Sequence, residues 1–193
     1  MKSYILIAGI LALVCQPVLQ ENVDVSSQNA AVQRSLKKES LKLNLKTLRE
    51  SDSRDEMRVW VGFGLITPRC FTLKRVKGVE QAMYYATTSK RISDVPGKKY
   101  QVENIATPLT SPTSGWKAFD VFLKSRGIDS PIKLTSDFNY QPDPDGELLV
   151  IEMKSQGVYS MVFFPTVTKT PDGMKALDVC HKIENEFKIK MGC

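Results

Sequence analysis

The stretch Leu148-Leu149-Val150-Ile151-Glu152-Met153, turning through Lys154-Ser155-Gln156-Gly157 and returning as Val158-Tyr159-Ser160-Met161-Val162-Phe163-Phe164, decides how this chain folds. Two short runs rich in β-branched and aromatic residues, joined by a polar tetrapeptide ending in glycine, predict an antiparallel hairpin. Strand alternation groups Leu149, Ile151 and Met153 with Tyr159, Met161 and Phe163 on one face. The other face, with Leu148, Val150, Val162 and Phe164, is nearly as apolar and is interrupted only by Glu152 and Ser160. Both faces are therefore expected to be covered, inside a sheet rather than at its edge.

Downstream, Pro165 and Pro171 bracket a turn, and residues 172–188 read as a helix. On a wheel of about 100° per residue, Ala176, Leu177, Ile183 and Phe187 gather around Cys180. Cys180 is thus expected to face the core. Upstream, residues 57–66 form a second apolar strand, with Gly62 and Gly64 on one face, where packing or a bulge explains them more simply than a ligand does. Residues 70–76 and 82–87 predict a hairpin turning at Lys77-Gly78, and residues 100–106 a further strand. Lys74, Arg75 and Lys77 read as a solvated hairpin tip. Leu41, Leu43 and Leu45 alternate as a strand would, although Leu41, Leu45 and Leu48 also suit a helix; the strand is preferred. A helix is expected over 116–126, with Ser114 as its N-cap and Gly127 as its stop, and a short strand at 132–134. The expected class is α+β: an antiparallel sheet of five to seven strands with two main helices packed on one face.

Composition agrees with such a domain, at 193 residues, 42% hydrophobic and 25% charged. Residues 1–20 stand apart. Lys2 precedes an apolar run from Tyr4 to Val14 that would rise only about 16 Å as a helix, too short for a hydrocarbon core of roughly 30 Å. An export signal is the reading, for a secreted or periplasmic protein. Cys15 raises the alternative of a lipoprotein signal, against which Val14 departs from the small residue usual before an acylated cysteine; membrane contact is expected only through that lipid. Residues 21–40, polar and rich in Gln, Ser, Asn and Lys, read as a flexible arm with a helix around 30–38, leaving 41–193 as a single α+β domain. A net charge of +6 favours solubility and lacks the clustered arginine-and-aromatic surface of a nucleic-acid binder.

Export leaves Cys70, Cys180 and Cys193 in an oxidising compartment. Continuing helix would hold Cys180 and Cys193 about 20 Å apart, so Cys70–Cys180 is the expected disulfide, with Cys70–Cys193 as the alternative. Cys180 and His181 are neighbours on a helix and diverge by about 100°, so they form no dyad. Catalysis by a thiol would need Cys70 or Cys193 brought to His181, the single histidine. Asp143 and Asp145, in Gln141-Pro142-Asp143-Pro144-Asp145-Gly146-Glu147, suggest a calcium loop, but hydrophobic strand begins where ligands should continue. A proline-rich turn is the simpler account. No Cys-x-x-Cys pair, G-x-S-x-G elbow, phosphate loop or His-Glu-x-x-His helix is present, so neither cofactor nor metal is expected. The leading expectation is a non-catalytic binding or interaction module for a protein or small-molecule ligand. The alternatives are a small secreted enzyme using Cys70 and His181 or the acidic loop, and a surface lipoprotein with a scaffolding role.

Overall fold

The computed structural model describes residues 17–63, 68–91, 100–129, 131–137 and 147–193, and their side chains except at 17–27, 89–91 and 100–101. Among the described residues, six antiparallel strands form one sheet in the order β4-β3-β2-β1-β5-β6, joined by three helices. The elements run α1 (Pro17–Lys42), β1 (Glu56–Val61), β2 (Arg69–Val76), β3 (Val79–Arg91), β4 (Tyr100–Leu109), α2 (Trp116–Ser125), β5 (Leu148–Ser155), β6 (Val158–Pro165) and α3 (Pro171–Phe187). The class is α+β. β1 to β4 form a meander, while β5 crosses to the free side of β1 and leaves β1 at the centre.

Every residue of β1 is buried, and its alternation separates two cores. Met57, Val59 and Val61 join Phe71, Leu149, Ile151, Val162 and Phe164, together with Phe119 and Leu123 of α2 and Ala176, Cys180 and Ile183 of α3. Trp60 joins Cys70, Val150 and Phe163, together with Val32 and Leu36 of α1. The sheet is thus sandwiched between apolar layers of opposite origin.

Helix α1 corrects two expectations. The helix expected around 30–38 extends through the whole of 21–40, and that part is packed rather than flexible, with Val32 and Leu36 only 7% and 3% exposed. Both share a core with Trp60, Cys70, Val150 and Phe163 of the sheet. Residues 41–48 are no strand: α1 runs to Lys42 and the chain turns at Asn44 in the left-handed region. The buried stripe is Val32, Leu36, Glu39, Ser40 and Leu43, helical in spacing but polar at two positions, which hides it from a hydrophobic pattern.

The hairpin β5–β6 forms as expected, but in another register. The turn is Gln156-Gly157 alone, both at positive φ, as a two-residue type I′ connection requires. Leu149 then faces Phe164, Ile151 faces Val162 and Met153 faces Ser160, so the odd residues of β5 share a face with the even residues of β6. A four-residue loop would pair Met153 with Val158 and the two-residue turn pairs Ser155 with Val158, a shift of two positions that leaves the faces unchanged; the grouping expected for β6 was therefore wrong by one residue in either register.

α3 matches its sequence signals: Thr170 Oγ1 accepts from Gly173 N at 3.1 Å, and Pro171 opens the first turn. Ser114 is not the cap of α2, which falls at Gly115; its backbone N–H donates instead to Glu186 Oε2 of α3 at 2.7 Å. Residues 132–137 form no strand but follow β6, with Asp137 N donating to Phe163 O and Phe163 N to Ser136 Oγ.

The disulfide joins Cys180 to Cys193, not to Cys70. The helix stops at Phe187, Lys188 takes a left-handed conformation, and the chain folds back until the two Cα atoms are 6.2 Å apart. Arg69 Nη1 donates to Met191 O at 2.6 Å, and Glu184 Oε1 accepts from Met191 N and Gly192 N, which holds the returning segment in place. Cys70 faces the α1 side of the sheet while Cys180 lies in the core on the other, so the sheet separates them.

Candidate functional site

Where α1 crosses the sheet, the even residues of β1 place charge in the interior. Glu56 and Arg58 are 3% and 1% exposed. Arg58 Nε donates to Glu56 Oε1 at 2.6 Å, and its Nη1 donates to Lys46 O at 2.7 Å. Lys74 Nζ approaches Glu56 Oε2 at 3.2 Å as an ion pair lacking hydrogen-bond geometry. Lys74, expected at a solvated tip, is thus drawn inward, while Arg75 pairs with Glu80.

Across β5, opposite Arg58 in the ladder, lies Glu152. It is 3% exposed, yet both carboxyl oxygens are occupied: Oε2 accepts from Trp60 Nε1 at 2.7 Å and Oε1 from Tyr159 Oη at 2.8 Å. Burial raises its pKa above the ordinary glutamate value, with the Tyr159 bond, the Arg58 charge and the Trp60 bond opposing. The same neighbourhood pushes Tyr159 up, through burial first and then the charge and acceptor bond of Glu152.

Glu152 and Tyr159 meet one end of a cavity of about 350 Å³ between α1, the 47–50 segment and the β5–β6 hairpin. This volume lies at the low end of ordinary small-molecule sites. Ala30, Gln33 and Leu36 contribute the α1 wall; Arg34, Lys37 and Arg49 bring three cations to it. Arg49 links α1 to β6, its Nη1 donating to Gln33 Oε1 at 3.3 Å and its guanidinium lying 5.1 Å from the Tyr159 ring centroid. Glu50, also in the lining, accepts from Thr47 Oγ1 at 2.7 Å.

A second cleft of about 260 Å³, between α2 and the ends of β1, β2 and β5, gathers charges of both signs. There Arg75 pairs with Glu80 and Lys124 with Asp120, each at 2.8 Å, so its charges neutralise one another. Among the described residues no group of three or more His, Cys, Asp or Glu is placed to hold a metal ion.

The residues singled out from sequence do not converge. Cys70 is fully buried on the α1 side, and burial pushes its thiol well above the ordinary cysteine value. His181 is exposed on α3, in the layer across the sheet, with Nε2 3.4 Å from Cys193 O. Asp143 and Asp145 lie outside the described residues. Glu152 carried the one readable signal, as a carboxylate interrupting an apolar hairpin; Arg34, Lys37 and Arg49 carried none, because exposed cations on polar segments are the rule.

The fold and cavity define an α+β protein with a helix-roofed pocket above a buried, hydrogen-bonded carboxyl. No protein-family model, curated protein or solved structure matches the chain. The disulfide suggests a non-cytoplasmic environment. Among the described residues, no helix is long and apolar enough to cross a membrane.

Proposed function

We propose that this is an exported, non-catalytic binding module that holds a small molecule in the cavity between α1 and the sheet. The observation that carries the reading is the Glu152–Tyr159–Trp60 constellation at that cavity. A buried carboxyl with each oxygen already hydrogen-bonded is fixed in place and serves as wall, whereas a general base needs a lone pair aimed at substrate. The reading competes with a thiol enzyme, and the separation of Cys70 from His181 favours binding over that alternative.

An NMR screen of the full chain against small polar and apolar fragments tests it. Bound fragments should perturb the amides of Gln33, Lys37, Thr47 and Tyr159, lose that effect in Ala30→Trp, and be recovered chemically unchanged. Perturbations centred on His181, or conversion of a fragment to product, would overturn the reading.

A further inference from the structure

Resting on that cavity reading, we infer that the ligand is a small organic anion, a carboxylate or phosphate monoester with an apolar body, gripped by Arg34, Lys37 and Arg49. The argument begins with the balance of charge around the cavity. Arg34 and Lys37 lie three residues apart on α1 and so project from neighbouring positions on one face. Neither is paired with a carboxylate among the described residues. Arg49 reaches the same space from the loop after α1, and its partners are a neutral amide and an aromatic ring.

The two lining carboxylates form no ion pair with these cations among the described residues. Glu50 is engaged by Thr47, and Glu152 by Trp60 and Tyr159. Three cations that outnumber the two carboxylates of the same lining and pair with neither are an arrangement that an anion completes, and arginine forks suit the two oxygens of a carboxylate or phosphate. Leu36, Ala30 and the Tyr159 ring supply the apolar surface against which a short hydrocarbon body packs. The second cleft makes the contrast: Lys74, Arg75 and Lys124 are each paired with a carboxylate, and Lys154 donates to the Arg49 and Ser51 carbonyls.

The experiment is a calorimetric titration of the full chain at neutral pH and low salt with octanoate, octyl phosphate, octan-1-ol and octylamine. Each is repeated with Arg34→Gln/Arg49→Gln and with the cavity-filling variants Ala30→Trp and Gln33→Trp, whose folding is checked by circular dichroism. The expected result is that one or both anions bind more tightly than the alcohol, and that the double variant weakens them about tenfold or more while leaving the alcohol unchanged. The stronger anion identifies carboxylate or phosphate as the natural group. Octylamine binding as well as octanoate, or anion affinity indifferent to the double variant, would overturn the inference. If the alcohol or amine still binds and Ala30→Trp or Gln33→Trp abolishes it, the cavity reading survives that failure. If no probe binds, or neither cavity-filling variant affects binding, the cavity reading falls as well.

Discussion

Glu152 concentrates the chemistry of the residue scale. Its carboxyl is raised by burial, so the folded chain holds that proton more tightly than the unfolded chain does. The sign follows: its contribution to stability is greatest below the ordinary glutamate pKa and falls as pH rises through the window from that value up to the raised one. Asp172 acts oppositely, lowered by the hydrogen bond from Lys175 and the Thr135 amide, so its stabilisation is lost as pH falls through its depressed pKa. Glu186 is lowered too; burial works against it, but the Lys182 and Ser114 bonds outweigh that. The Glu152→Gln variant retains Asp172 and Glu186, so the difference between its urea-unfolding curve and that of the parent isolates residue 152. That difference should favour the parent at about pH 4 and shift toward the variant at pH 7. Curves that stay parallel across this range would remove Glu152 from the account.

At the scale of elements, the C-terminal return after α3 is held by a covalent link. Closing the 13-residue separation between Cys180 and Cys193 should be worth about 3 kcal/mol on the chain-entropy estimate. Cys193→Ser is expected to lower unfolding free energy by about that amount. Peptide mass spectrometry after thiol labelling gives the complementary result: Cys70 remains unlabelled in the native, non-reduced protein and labels only on unfolding. Rapid labelling of native Cys70 would contradict its place beneath α1. The same element shows where pattern reading stops. The wheel of α3 placed Cys180 in the core, as found, yet its partner depended on Lys188 leaving the helix for the left-handed region, which residue pattern alone did not indicate.

For the whole molecule, the question is whether α1 belongs to the cooperative unit. Leu36 is 3% exposed against Trp60, Cys70 and Phe163, whereas Lys38 two positions on is exposed. Leu36→Ala should cost about 2–5 kcal/mol, while Lys38→Ala stays within about 0.5 kcal/mol. Tryptophan fluorescence and far-ultraviolet circular dichroism should report one shared transition in each variant. A cost below that of Lys38→Ala, or a separate early loss of helix, would return α1 to the status of an arm and dissolve the roof of the cavity with it.

The apolar runs of the β5–β6 hairpin, the turn at Lys77-Gly78 and the apolar stripe of α3 are local signals, and each led to the element it specifies. Backbone preference and nearest-neighbour packing act over a few residues, so a strand or capped helix can be read from its own segment. The buried stripe of α1 could not be, because Glu39 and Ser40 break its hydrophobic pattern, and what makes Glu39 tolerable there is the Lys42 ion pair to Oε1 at 2.8 Å. The grouping of Arg34, Lys37, Arg49, Glu152 and Tyr159 was likewise decided by tertiary structure alone. Those residues span more than a hundred positions, and what joins them is the crossing of one helix over one sheet, a contact between surfaces that no single segment encodes.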